Sequence, residues 1–383
     1  MIALDAIGQT REPLLRDLER LVNMDSCSKD KADVDRVGAE VQAILQRIGC
    51  SIRVHPSAEY GDSFVASLQG RGRIRILMLA HMDTVHPKGT PARLPYRVEG
   101  TNAYGPGTVD MKVGILLGCY TMQLLKERGY DVFGRLSLLV NSDEEVGSPS
   151  SRGFIEEQAR QHDVVLVLEG PQTRREIVSR RKGTGRFEIT AHGKAAHAGV
   201  EPELGCNALV ELAHQIIAVQ TLNTPATGTT VNACMAQSGV APNAIPAQAT
   251  VTVDVRVMNA AEASRIEAAI RTQAARTTVP GTHCIVTGGF NRPPMEKTEA
   301  SAKLIALTQR IAEELGTPLK EITMGGATDG NFTAAIGVPT LDGMGPDGGL
   351  SHSEREFLEL PSIWERMAIL IRVIEQLSAK GLD

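Results

Sequence analysis

The sequence predicts an α/β protein of 383 residues in which a smaller α+β domain is inserted into a larger one. Two observations lead to this prediction. Apolar runs of strand length alternate with helical patterns up to residue 178 and again from residue 294, which is typical of a sheet covered by helices on both faces. Between these parts, residues 179–293 follow the order β-α-β-β-α-β of a ferredoxin-like sandwich.

The first part of the chain alternates helices with apolar strands. Helical spacing of apolar residues covers residues 11–22 and 34–48, and Gly49 ends the second helix as a C-cap. The next elements are strands at 73–80, 135–141 and 164–168, with a buried helix at 112–127. These strands are apolar throughout rather than alternating, so we expect both faces of their sheet to be covered.

The rhythm changes near residue 179, where a half-buried strand at 185–191 begins the inserted domain. Its further elements are a helix at 207–220, strands at 229–237 and 248–257, a helix at 261–276 and a strand at 283–287. Helix–strand alternation then resumes, and residues 358–377 predict a final amphipathic helix. We therefore expect one discontinuous domain, residues 1–178 and 294–383, and one inserted domain, residues 179–293.

Composition excludes several classes of protein. A net charge of -5 and 3% aromatic residues argue against nucleic-acid binding. The longest apolar stretch, 113–125, is too short to span a membrane, and residues 1–21 resemble a helix rather than a signal peptide. The six cysteines are scattered without a C-x-x-C pair, as in reduced cytosolic proteins. We expect a cytoplasmic enzyme with no nucleic-acid or membrane partner.

Five short segments rich in acids or histidine follow predicted strands or lie in glycine-rich loops, where open α/β sheets bind ligands. In His81-Met-Asp83, His81 can bind a metal while Asp83 supports the other ring nitrogen. A strand-end turn with a surface histidine is the alternative. Segment 104–114 contains Asp110 and three glycines, but it does not have the spacing of a phosphate loop. Asp110 suits a metal or, alternatively, a helix N-cap.

The other three segments add two kinds of ligand. Glu144 and Glu145 are adjacent, so one can bind a metal while the other acts as a base, although a solvated acidic loop would look the same. Glu169 ends an apolar strand, where an acid is costly unless paired or ligating. His352 lies in a glycine-rich loop. Together these residues form a mixed nitrogen and oxygen set suited to zinc, and one bridging Asp could hold two ions.

The sequence resembles the M20 family of metallopeptidases over nearly its whole length, and within it the glutamate carboxypeptidases (carboxypeptidase G type). The motifs are H-M-D-T-V, G-x-x-x-x-D-M-K-x-G, D-E-E-V-G-S, L-E-G, G-K-A-A-H-A-G and S-H-S. The resemblance implies a three-layer α/β/α zinc-peptidase catalytic domain with an inserted α+β dimerisation (lid) domain. It also implies a homodimer.

The resemblance further implies two divalent ions, zinc with Co²⁺ or Mn²⁺ as alternatives. The implied ligands are Asp110 as the bridge, Glu145 and His352 at one ion, and His81 and Glu169 at the other. Glu144 would be the general base and acid that activates a metal-bound water, and Asp83 would orient His81.

In the inserted domain, His197 matches the family's histidine that reaches the partner subunit's active site and polarises the scissile carbonyl. Asn243 and Arg256 match positions that bind the substrate's terminal carboxylate, a role that suits the fork of an arginine. Alternatively, Arg256 pairs with Asp254 and Asn243 only shapes a turn.

Two further candidates are weaker. Arg292 is a candidate for a second anionic group of the substrate. Gly326 lies in Gly325-Gly-Ala-Thr-Asp329, which resembles the family's glycine loop at the catalytic pocket.

The implied function is hydrolysis of the amide bond of a C-terminal glutamate, or a similar acidic amino acid, in a peptide or N-acyl amino acid. The alternative is an N-acyl-amino-acid deacylase, either acetylornithine-deacetylase-like or an N-acyl-aspartate amidohydrolase. A metal-dependent binding protein would lack the base Glu144, and a nicotinamide oxidoreductase would need a G-x-G-x-x-G after a strand. Acyl group, leaving amino acid and native metal stay open.

Overall fold

The computed structural model describes residues 6–171 and 174–382, which divide into two compact units. The first comprises residues up to 179, 297–323 and those from 328 onward; the second comprises 180–296 and 324–327. The sequence placed the inserted domain at 179–293 and did not anticipate that 324–327 returns to it. This return is explained by two hydrogen bonds, from Lys182 N to the Met324 carbonyl (3.1 Å) and from the Arg181 guanidinium to the Gly326 carbonyl (3.3 Å).

The elements before the inserted unit are α1 (Ile7–Val22), α2 (Lys31–Ile48), β1 (Ser51–His55), β2 (Ser63–Gln69), β3 (Arg75–His81), α3 (Thr90–Arg93), β4 (Arg97–Glu99), β5 (Asn102–Tyr104), α4 (Val113–Glu127), β6 (Arg135–Asn141), α5 (Arg152–Arg160), β7 (Val164–Val167) and β8 (Glu176–Arg181). The elements of the inserted unit are β9 (Gly183–His192), β10 (Ala196–His197), α6 (Ala208–Gln220), β11 (Thr230–Ser238), β12 (Ala244–Ile245), β13 (Gln248–Val257), α7 (Ala260–Ala274) and β14 (His283–Arg292). The later elements are α8 (Glu299–Glu314), β15 (Lys320–Met324), α9 (Gly330–Ala335), β16 (Thr340–Leu341), β17 (Gly348–Gly349), β18 (Phe357–Glu359) and α10 (Leu360–Lys380).

A mixed sheet in the order β1-β2-β6-β3-β7-β16 forms the centre of the larger unit, as far as the described residues show. β3 lies parallel to both β6 and β7, so the carboxyl ends of these three strands meet at one edge. From Ile76 to His81 every residue of β3 is buried, which agrees with its unbroken apolar sequence. The antiparallel strand β1 was not predicted, because it is mostly exposed and carries no apolar run.

The inserted unit has an antiparallel sheet in the order β11-β13-β9-β14, with α6 and α7 against it. Along β9, buried and more exposed residues alternate, as expected for a sheet with one covered face. Its core is separate from that of the larger unit and includes Phe187, Val253 and Ile266. The predicted β-α-β-β-α-β order is therefore present, within one or two residues at most element ends.

Within residues 6–171 and 174–382, no helix is both long and apolar enough to cross a bilayer. All six cysteines lie in this part of the chain and are free thiols.

Candidate metal centre

The last residue of β3 forms the deep side of the candidate site. The side chain of His81 is buried, and its Nε2 lies 3.2 Å from Asp110 Oδ1 and 3.1 Å from Glu169 Oε1. Glu169 comes two residues after β7, beside the end of β3 in the parallel pair. The sheet therefore brings His81 and Glu169 together, and the turn before α4 adds Asp110.

A second imidazole lies on the other oxygen of Asp110. His352 Nε2 is 3.2 Å from Asp110 Oδ2 and 3.1 Å from Glu145 Oε2. The backbone of His352 has φ 64°, in the left-handed region that non-glycine residues seldom adopt and that clusters at functional sites. Its side chain is half-exposed, whereas that of His81 is buried.

The geometry of these five residues fits two divalent ions. Metal bonds of about 2.0–2.1 Å in a tetrahedron put neighbouring ligand atoms about 3.3 Å apart, close to the nitrogen–oxygen distances found here. Each oxygen of Asp110 faces a different imidazole, as a bridging carboxylate requires. Among the described side chains, the buried His81 Nε2 and Glu145 Oε1 lack a hydrogen-bond partner, which a metal bond would supply. The predicted ligand set is thus brought together in two overlapping groups.

The crowding of acids and imidazoles changes their proton affinities. Burial opposes a charged His81 ring, but the neighbouring carboxylates outweigh it and raise the pKa of His81 well above its usual value. Hydrogen bonds to Asp110 and Glu145 raise the pKa of His352 to about 11. Burial raises the pKa of Glu169 to about 7 and also raises the pKa of Glu145. Positive charge is thus favoured at both imidazoles, where a bound cation would supply it instead.

Asp83 connects His81 to the segment that carries the two adjacent glutamates. His81 Nδ1 lies 3.0 Å from the Asp83 carbonyl oxygen and 3.3 Å from its carboxylate. The same carboxylate accepts the backbone N–H groups of Glu144 and Glu145, both at 3.1 Å, and the Ser28 hydroxyl at 2.6 Å. Asp83 thus contacts the His81 ring and also holds the Glu144–Glu145 turn, which was not predicted; that it orients a metal ligand stays a prediction.

Glu144 begins a short 3₁₀ turn, Glu144–Val146, and is half-buried. Gly147 ends the turn with φ 93° and donates its N–H to the Glu144 carbonyl at 2.8 Å. The preceding Asp143 is fully buried and accepts from the backbone and hydroxyl groups of Ser150 and Ser151. The backbone of this turn is therefore held by hydrogen bonds on both sides of Glu144 and Glu145.

In the inserted unit, His197 and Asn243 are neighbours. His197 pairs with Ala244 across two short strands, and Ala198 N donates to the Asn243 carbonyl at 2.9 Å. The His197 ring is exposed, and its Nδ1 accepts the N–H groups of Gly199 (3.2 Å) and Val200 (3.1 Å). A nitrogen that accepts two hydrogen bonds carries no proton, so the neutral ring presents its Nε2–H outward.

Arg256 lies on β13 of the four-stranded sheet, whereas His197 lies in the separate two-stranded pair of β10 and β12. Arg256 is eight positions after Gln248, the first residue of β13, and this is about 27 Å of extended strand. The prediction that Asn243 and Arg256 bind the substrate's terminal carboxylate stays a prediction. The guanidinium forms a fork with Asp254, with two contacts of 3.0 Å, which was the structural alternative.

The remaining two candidates also lie in the second unit. Arg292 is the last residue of β14, and its side chain is buried. Gly326 has no atom within 4 Å of an added Cβ, so its backbone is not closely covered. That Arg292 and Gly326 contact the substrate stays a prediction.

Comparison with known proteins agrees with this geometry. The sequence profile of peptidase family M20/M25/M40 matches residues 77–376. Carboxypeptidase G2 of Pseudomonas sp. (strain RS-16) is 33% identical over 383 aligned positions, which cover 99% of this chain and 92% of the relative.

Two solved structures share the fold. Aminopeptidase PepT of Bacillus cereus superposes with a TM-score of 0.81 at 21% identity, covering 97% of this chain and 99% of its own. The Bacillus subtilis YXEP protein, described as a dinuclear metal-binding peptidase of the M20 family, gives a TM-score of 0.74 at 14% identity over 97% and 99% of the two chains.

Proposed function

The chain belongs to peptidase family M20/M25/M40, whose members hydrolyse amide bonds, and we propose that it releases a C-terminal glutamate or similar acidic amino acid from a peptide or N-acyl amino acid. The observation that carries the proposal is Asp110, whose two oxygens each face a different imidazole at 3.2 Å. Glutamate as the leaving residue rests on the likeness to carboxypeptidase G2.

Two divalent ions, zinc in this proposal, would be held by His81, Asp110, Glu145, Glu169 and His352. When bound, such ions polarise a carbonyl and lower the pKa of water. Burial raises the pKa of Glu169 and of Glu145 in the metal-free cluster, and a bound cation would favour the ionised form of both. The chain's own contribution is to hold the five ligand atoms in place before substrate arrives.

Glu144 carries the proton in this mechanism. Its carboxylate takes a proton from the attacking water as the water oxygen bonds to the scissile carbonyl carbon. The same proton then passes to the leaving nitrogen as the carbon–nitrogen bond breaks. Glu144 suits this role because its backbone N–H is bound by Asp83, which also contacts His81, so base and ligand share one support.

His197 supplies a hydrogen-bond donor. With Nδ1 accepting two backbone N–H groups, the ring can donate only from Nε2, toward a carbonyl oxygen that gains negative charge. We propose that this donor acts at the centre of a partner subunit, in a homodimer formed through the inserted unit. In such a dimer, Asn243 acts beside His197, and Arg256 binds the substrate carboxylate by exchanging its Asp254 partner for the substrate.

Exposed apolar side chains support the dimer. In the inserted unit, β11 is an edge strand, and Met235 on it is 63% exposed. Ile217 on α6 is 68% exposed. An unpaired edge with apolar residues beside it is a surface that proteins commonly cover by association.

A substrate panel tests the proposed function. The zinc-loaded protein is assayed with N-acyl-glutamates, N-acyl-aspartates, folate and acetylornithine, and released amino acid is measured. Preference for a glutamate leaving group by at least tenfold in kcat/KM supports the proposal. Preference for acetylornithine or N-acyl-aspartate would instead assign the deacylase function, and no hydrolysis of any substrate would refute both.

A further inference from the structure

A second buried carboxylate lies behind the bridging ligand. Glu356 follows His352 by four residues, and its side chain is 2% exposed. Its Oε1 accepts the backbone N–H groups of Val109 (2.9 Å) and Asp110 (3.1 Å), and its Oε2 accepts that of Gly107 (3.0 Å). One carboxylate thus binds three amides of a four-residue segment that includes the bridging ligand.

Two further features adapt this segment to the carboxylate. His86 Nε2 lies 3.1 Å from Glu356 Oε2, so this oxygen contacts the His86 ring as well as the Gly107 amide. Gly107 has φ 72°, and an added Cβ would lie 2.6 Å from a methyl group of Thr84, so only glycine fits. Successive amides that converge on one point form a cradle for an anion, and here the anion belongs to the chain itself.

We propose that Glu356 is a positioning residue for the metal centre, which holds Asp110 between His81 and His352. The inference rests on the proposed two-ion centre and adds to it a residue that touches neither ion nor substrate. Hydrogen bonds to a carboxylate are stronger than neutral ones, and three of them resist rotation of the backbone at Asp110. Because Glu356 is in the same loop as His352, it ties the ligand of one ion to the ligand shared by both.

The alternative is that Glu356 only stabilises the fold. The two roles differ in what they change. A fold-stabilising residue affects the unfolding of the metal-free protein but leaves ion affinity intact once the chain is folded. A positioning residue changes ion affinity and the mobility of segment 105–112 in a protein that is still folded.

The test compares Glu356→Gln with Glu354→Gln. The first substitution keeps one acceptor oxygen but turns an N–H₂ group toward the amide of Gly107. Glu354 is in the same loop, is 63% exposed and pairs with Arg93, so its substitution removes the same charge without touching segment 105–112. Co²⁺ is titrated into each metal-free protein against a chromophoric chelator, and hydrogen exchange of segment 105–112 is measured without metal.

We expect Glu356→Gln to weaken the binding of at least one Co²⁺ by about 10–100-fold, as substitutions behind metal ligands do, and to speed exchange in segment 105–112. Glu354→Gln should match the wild type in both. Two Co²⁺ bound by Glu356→Gln with wild-type affinity would overturn the inference, whatever happens to its unfolding temperature. If the wild type binds no Co²⁺, the proposed function fails instead.

Glu356→Asp keeps the inference testable if Glu356→Gln does not fold. It retains the charge but withdraws the carboxylate by one carbon–carbon bond, about 1.5 Å. We expect weaker Co²⁺ binding and faster exchange in the same segment. Unchanged values of both would overturn the inference.

Discussion

The two sides of the metal centre are built differently. His81 and Glu169 come from the ends of parallel strands and are almost fully buried. Glu145 and His352 come from a short turn and a loop, and the His352 side chain is 54% exposed. The sheet thus positions His81 and Glu169, while the Glu145 turn is held by Asp83, which also contacts His81, and the shared Asp110 is held by Glu356. We infer that the His81 side is rigid and that the His352 side depends on its supports.

Glu144→Gln should have a large effect on turnover and little effect on ion binding at either side of the centre. Loss of a general base lowers kcat by about 10²–10⁴-fold. Both ions should stay bound, because Glu144 is in neither ligand group. Metal content by mass spectrometry and kcat on the preferred substrate check this, and wild-type kcat in the variant would contradict the assignment.

His81→Ala and His352→Ala compare the two sides directly. Without His81, the buried carboxylate of Glu169 loses its imidazole partner in a place that water cannot easily reach, while Asp110 keeps His352. We expect its loss to weaken binding at one ion by more than about 100-fold, above the range for residues behind the ligands. At the exposed His352, water can take the empty position, so we expect a smaller loss.

Calorimetric titration with Zn²⁺ measures the loss of ion affinity in His81→Ala and in His352→Ala. His214→Ala removes an exposed imidazole from α6 and serves as the control. Equal losses at the two sites would show that burial does not distinguish them.

The pH dependence of metal binding should also differ from that of an ordinary histidine site. In the metal-free protein the pKa of His352 is raised to about 11. The charged imidazole therefore stabilises the fold, and this stabilisation is fully present below the unfolded pKa of about 6.5. It is lost as the pH rises through 11. A metal must displace that proton. Affinity should therefore rise with pH well above neutrality.

Proton release checks this expectation. At pH 8, binding at the His352 side should release about one proton, seen as a binding enthalpy that changes with the ionisation enthalpy of the buffer. A binding enthalpy that is the same in all buffers would show that the ring is already neutral.

Ser28→Ala should have the smallest effect. Its hydroxyl donates one buried hydrogen bond to Asp83, which keeps its contacts with His81 and the Glu144–Glu145 turn. We expect up to about tenfold weaker metal binding, the low end for residues behind metal ligands. Ser264→Ala, at an exposed position of α7, is the control, and a loss larger than that of His81→Ala would contradict the account.

Some functional candidates could be predicted from residue type and from position relative to a predicted strand. His81 and Glu169 were predictable because a polar residue ending an apolar strand is costly unless it binds something. The apolar strands β3, β6 and β7 and the amphipathic helices were predictable because periodicity reports burial, whereas the buried strand β2, interrupted by Ser67, was not predicted.

Other features carry no such signal. Ser28 and Glu356 act on backbone groups and on residues far along the chain, which no local pattern reports. The return of residues 324–327 to the inserted unit depends on two hydrogen bonds to carbonyl groups, which any residue possesses.

The central claim is that two ions bridged by Asp110 make this chain an amide hydrolase. Its most direct test is a titration of Zn²⁺ into chelator-treated protein, with hydrolysis of an N-acyl-glutamate measured at each step. We predict no activity without metal and a rise that ends at two ions per chain, with Asp110→Asn inactive throughout. Full activity in the chelated protein, or in Asp110→Asn, would contradict it.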